Sequence, residues 1–109
     1  MSQDLHIILV RPEQPWNVGS VVRAAANFGA RSVRLVALDG GDAEFERLAR
    51  VASSGAWDLL DPAYFQSLSE AVSDCDIVAA TSARARQSPT EALDPASFFA
   101  ERAAGFRSI

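Results

Sequence analysis

LHIILVRPEQPWNVGSVVRAAANFGARSVRLVAL, residues 5–38, decides the fold. Residues 5–10 form a short, almost unbroken apolar run rich in β-branched side chains. That is the pattern of a strand buried on both faces of a parallel sheet. Pro12 and Pro15 then interrupt regular structure. Asn17 has the side chain of a helix N-cap. From Val18 to Phe28 the apolar residues fall at 18, 21, 22, 25 and 28, one stripe of a helix. Gly29 stops it. Residues 32–38 alternate into a second strand. Strand, helix and strand make the unit of a parallel sheet, and a right-handed connection is expected.

Working outward, Asp39-Gly40-Gly41-Asp42 reads as a turn whose last residue caps a helix over 43–52. Ser53-Ser54-Gly55 ends that helix. Residues 57–60 are a short apolar piece of open type, and 67–73 read as a helix. Residues 76–80 (DIVAA) read as a further buried strand feeding a polar loop, 81–86. Ser88-Pro89 and Asp94-Pro95 mark a loop and a helix start, with a helix over 96–104. Residues 1–109 are therefore expected to form one α/β domain, a parallel-sheet three-layer sandwich. Ligands in such sheets sit beyond the C-terminal ends of strands. The segments 11–19 and 81–86 fall there.

Composition narrows the classes. Hydrophobic residues make up 49% and charged residues 22%, as in ordinary globular domains. No apolar run approaches the ~20 residues that span a bilayer, so no membrane partner is expected. MSQDLHIILV lacks the basic start of a signal peptide. One cysteine and one histidine leave no internal disulfide and no metal site, which fits a reducing cytoplasm. Cys75 and His6 both read as structural.

The net charge of −4 argues against nucleic-acid binding through overall charge. The distribution is more telling. All ten basic residues are arginine, and Arg11, Arg23, Arg31 and Arg34 crowd the first third. Arginine is the better bidentate ligand for phosphate. Asn17, Gly19 and Arg23 at the head of a helix would make a pocket for phosphate or ribose. Spacing alone slightly favours a cap, a packing glycine and a solvated arginine. Trp16 either stacks on a base or packs in the loop.

The wider string 9–30, LVRPEQPWNVGSVVRAAANFGA, resembles the first motif of the SpoU-class RNA 2′-O-methyltransferases of the SPOUT superfamily. That motif is a Pro-rich loop, N-x-G-x-x-x-R, small residues and an aromatic or Met before glycine. DCDIVAATSARAR (74–86) is similar to the strand and loop of the TrmJ-type tRNA methyltransferase branch. ARVASSGAWDLL (49–60) matches the small-residue segment between them. The resemblance covers residues 5–95.

It implies S-adenosylmethionine-dependent methylation of RNA, with tRNA favoured, by a homodimer that needs no metal. The family's catalytic arginine falls on Arg23, and the asparagine that shapes the substrate site on Asn17. Thr81, Ser82 and Ala83 match the loop that contacts S-adenosylmethionine. Apart from the resemblance, Arg11, Arg84 and Arg86 flank the two loops as candidate RNA contacts, with a solvated loop the alternative for Arg84 and Arg86. The two later family motifs, which form the trefoil knot, have no match here. The chain thus reads as the N-terminal part of such a domain without the knot. The alternative is a non-catalytic RNA-binding or dimerisation module derived from the same fold.

Overall fold

In the computed structural model, which describes residues 4–37, 43–81 and 108, the first unit folds as its periodicity requires. Strands β1 (His6–Val10) and β2 (Ser32–Val36) pair in parallel, with His6 opposite Ser32 and Val10 opposite Val36. Helix α1 (Pro15–Phe28) joins them. Helices α2 (Ala43–Ala52) and α3 (Ala56–Leu60) follow. Strand β3 (Ala63–Phe65) then pairs in parallel with β2, giving the order β1-β2-β3. Helix α4 (Leu68–Ala71) comes next, capped by the Ser67 hydroxyl, which accepts from the Glu70 N–H.

The two-residue period of β2 sorts its side chains into two layers. Val33 and Leu35 are fully buried against Val18 and Val22 of α1, with Ala49 and Trp57 closing the core. Arg34 points the other way and donates to the Ala71 carbonyl at 2.6 Å. Helix α4 therefore covers the opposite face, and the sheet lies between two helical layers. The three-layer α/β architecture is as expected.

Strand β1, read as buried on both faces, has no fully buried residue, because its outer face borders an open cavity, and Phe28, read into the apolar stripe, is 89% exposed at the last position of α1. Three further details differ from the sequence reading. First, α1 begins at Pro15, so the cap position belongs to Gln14 and not Asn17. Proline suits the first helical position, because its ring presets φ and the N–H it lacks would be unbonded there anyway. Second, residues 57–60 prove helical as part of α3.

Third, residues 76–80 form no strand, and the third strand is β3. A strand needs a neighbour along its length. The amides of Asp76 and Ile77 both donate to one carbonyl, that of Ser108, at 2.8 and 3.3 Å. Beyond them the chain stands off β1 across an apolar cavity of about 630 Å³, lined by residues 5–10 and 78–81. The only bridge on that edge of β1, among the described residues, pairs Asp4 with Ser108. The expected turn at 39–42 and the helix at 96–104 lie outside the described residues.

Candidate functional site

The chain leaves β1 through Arg11, whose φ of 49° is left-handed. Its N–H donates to the Val36 carbonyl at 2.9 Å. Ala37 repeats the device after β2, with φ 57° and an N–H to the Phe65 carbonyl at 2.9 Å. An L-residue pays roughly 1–2 kcal/mol in this region and stays only where the surroundings fix it. Here an inter-strand hydrogen bond fixes each. Both turns lift the chain off the C-terminal edge of the sheet.

Gln14 then offers its carbonyl to the amides of Asn17 and Val18, at 3.2 and 3.3 Å. Asn17 is thus the third residue of α1. Its side chain is exposed and has no hydrogen-bond partner among the described residues. It lines a shallow cleft of about 340 Å³ with Leu9, Pro12, Glu13, Gln14, Val18 and Val21. Freed from capping, its amide can meet a ligand.

Arg23 lies elsewhere on the helix. Eight residues past Pro15, it sits about 12 Å along the axis, beyond the first turn where the helix dipole acts. At 100° per residue it stands roughly 120° around the axis from Asn17. The structure therefore does not bring Asn17 and Arg23 into one cleft. Arg23 shares an exposed stripe with Trp16, Ser20 and Asn27. Gly19 is a packing residue: a Cβ there would land on the Ala49 carbonyl and the Ala52 methyl of α2.

Charge pairing divides the arginines. Arg34 holds Asp74, Arg47 holds Glu44, and Arg50 holds Glu46 and Asp58. Arg11, Arg23 and Arg31 are exposed and make no ion pair among the described residues. Helix α1 itself carries no acidic residue. Unpaired cations therefore gather at α1 and its two flanks.

Thr81 is exposed on the far wall of the larger cavity, across from β1. Ser82, Ala83, Arg84 and Arg86 lie outside the described residues. The described lining is mostly apolar and holds no Asp, Glu, Lys or Arg, which suits a flat, uncharged ring.

The remaining titratable groups read as structural. His6 contacts the Ser32 hydroxyl at 2.7 Å and the Ser108 hydroxyl at 3.0 Å. Burial, reinforced by the Arg34 charge, pulls its pKa below the usual histidine value. Burial and the Asp74 carboxylate push the Cys75 thiol up, the opposite of an activated nucleophile. No group of metal-ligating side chains occurs among the described residues. No described helix is long and apolar enough to cross a membrane.

The sequence reading missed the cleft residues Glu13, Gln14 and Val21. Pro15, read as a breaker, was the available signal. As the first helical residue it would have put Gln14 at the cap and Val21 on Asn17's side of α1.

Comparison with known proteins gives the frame for this site. The model of the SpoU rRNA Methylase family matches residues 4–104. A protein of Pseudomonas aeruginosa named tRNA (cytidine/uridine/adenosine-2'-O-)-methyltransferase TrmJ is 39% identical over 99 residues, covering 87% of this chain and 36% of that protein. The Escherichia coli tRNA (cytidine/uridine-2'-O-)-methyltransferase TrmJ is 35% identical over 111 aligned positions, covering 100% of this chain and 41% of that protein. Two solved structures share the fold. A probable methyltransferase of Bordetella pertussis has a TM-score of 0.60 and 32% identity over 69% of this chain and 45% of that one. A probable methylase family protein of Haemophilus influenzae has a TM-score of 0.65 and 31% identity over 79% of this chain and 36% of that one. The chain spans about two-fifths of the length of the curated relatives. Its first βαβ unit, its N-x-G-x-x-x-R helix and these similarities agree that the chain belongs to the SpoU rRNA methylase family.

Proposed function

We propose that this chain carries the RNA-facing side of a site for S-adenosylmethionine-dependent 2′-O-methylation of tRNA ribose. The supporting observation is the set of unpaired arginines, Arg11, Arg23 and Arg31, around a helix without acids. The names of the relatives supply the reaction.

Arg23 is the phosphate clamp of this reading. A guanidinium is a donor of hydrogen bonds and not an acceptor of protons, so orientation and charge stabilisation are its work. Arg11 takes a neighbouring phosphate at the strand end, and Arg84 and Arg86 are further RNA contacts in this reading. Asn17 offers its free amide to the ribose. S-adenosylmethionine, when bound, supplies the methyl group, and Thr81 of the cavity wall contacts it together with Ser82 and Ala83, the next two residues of the sequence. The reading takes residues 1–109 as one α/β domain of a cytoplasmic homodimer.

The test is transfer of labelled methyl from S-adenosylmethionine to tRNA by a full-length version of the protein, wild type against Arg23→Ala. A loss of tenfold or more in the variant supports the role of Arg23. Equal rates would remove Arg23 from the mechanism. No transfer by the wild type would sink the enzymatic reading.

A further inference from the structure

The geometry points to Trp16 as a stacking subsite for an unpaired nucleobase of the RNA, paired with a phosphate subsite at Arg23. This deepens the RNA reading above and rests on it.

The two tryptophans have opposite fates. Trp57 is 3% exposed in the core, whereas Trp16 is 56% exposed on α1. Trp16 does not pack away in a loop. It is the second residue of a regular helix, directly after Pro15. Burial of that turn is done by Pro15 and Val18.

Its neighbours on the surface are polar. Trp16, Ser20, Arg23 and Asn27 recur at steps of four, three and four residues and are all exposed. Trp16 is the one apolar member of this stripe. It lies within about 20° of Arg23 around the axis and about 10 Å from it along the axis. An indole face and a free guanidinium at that spacing can take a base and the phosphate of a nearby nucleotide in an unstacked strand. Side chains on a helix lean toward its N-terminus. The indole therefore leans toward the C-terminal edge of β1, the side where Arg11 turns.

Charge complementarity favours nucleic acid as the occupant. Neither Arg11 nor Arg23 is neutralised by a described acid. Base–aromatic stacking tolerates any base and is worth enough to be measured. Arginine supplies the salt-dependent part of binding and tryptophan the salt-independent part.

The test is titration of single-stranded oligoribonucleotides at several salt concentrations, followed by tryptophan emission and by anisotropy. RNA should quench the exposed Trp16 saturably. Trp16→Ala should weaken binding roughly 5- to 150-fold while leaving the salt slope unchanged. Trp16→Phe should keep most of the affinity, which separates lost stacking from a damaged helix. Arg23→Ala should instead lower the salt slope by about one. An oligomer with abasic sites should lose both the quench and the sensitivity to Trp16→Ala. Tight RNA binding by Trp16→Ala would overturn the subsite and leave the RNA reading intact. So would a Trp16→Ala change in oligomeric state without any change in RNA affinity. Absence of RNA binding by the wild type would overturn both.

Discussion

Gly19 of α1 and Ala49 of α2 meet backbone to backbone, so closely that a Cβ on Gly19 would strike the Ala49 carbonyl oxygen. The glycine of N-x-G thus serves the approach of two helices. A bare helical surface site would gain about 1 kcal/mol from Gly→Ala. Here a carbonyl cannot rotate aside, so the sign should reverse. Gly19→Ala should cost about 1–3 kcal/mol in urea denaturation. A stabilised variant would show that α1 and α2 do not approach in this way.

Asn17→Ala should leave stability within about 0.5 kcal/mol, because Asn17 caps nothing. Loss of a working N-cap would instead cost about 1 kcal/mol. RNA affinity or methyl transfer should fall in the same variant. Unchanged function with reduced stability would restore the capping role.

Ser53 is fully buried between α2 and α3. Its hydroxyl donates to the Arg50 carbonyl at 2.7 Å and accepts from the Trp57 N–H at 3.2 Å. Ser53→Ala strands a buried amide and should cost about 1–3 kcal/mol. Thermal unfolding of the two proteins checks it. Ser53→Thr keeps the oxygen but adds a methyl in a closed space, so it should recover only part of the loss.

Arg34 grips the Asp74 carboxylate with two hydrogen bonds, of 2.6 and 2.8 Å, and holds its pKa down at about 2. The folded value lies below the unfolded one. The stabilisation is therefore complete above the unfolded value, near pH 4, and is lost as pH falls through about 2. Asp74 is 59% exposed, so the contribution is under ~1 kcal/mol. Asp74→Asn should flatten the acid limb of the stability curve and change little at pH 7. Arg34→Ala should cost more, since Arg34 also bonds the Ala71 carbonyl and stacks 5.9 Å from the Phe65 ring centre.

Much of this was legible in the chain because it depends on local periodicity. Ile7 and Leu9 of the apolar run, Val18, Val22 and Ala25 of the helical stripe, and Val33 and Leu35 of the alternation turn to one core as their periods require, whereas Phe28 of the same stripe stays 89% exposed. Gly29 ends α1 with φ 77°, as a glycine after an apolar stripe should. Ser67 caps α4 for the same local reason. Residues 76–80 misled, since DIVAA has the composition of a strand and composition cannot supply a pairing neighbour. Residues 63–65 escaped notice because three residues show no period.

By itself the sequence determined the βαβ unit, its buried stripe and the N-x-G-x-x-x-R string that marks the family. These are set by residues within one or two turns of each other. The tertiary structure alone decided that Gly19 faces α2, that Asn17 keeps a free amide, and that Trp16 stands in water while Trp57 does not. It also decided which arginines are neutralised. Partners such as Asp74 for Arg34 lie 40 residues away in the chain, and only packing brings them within hydrogen-bond reach.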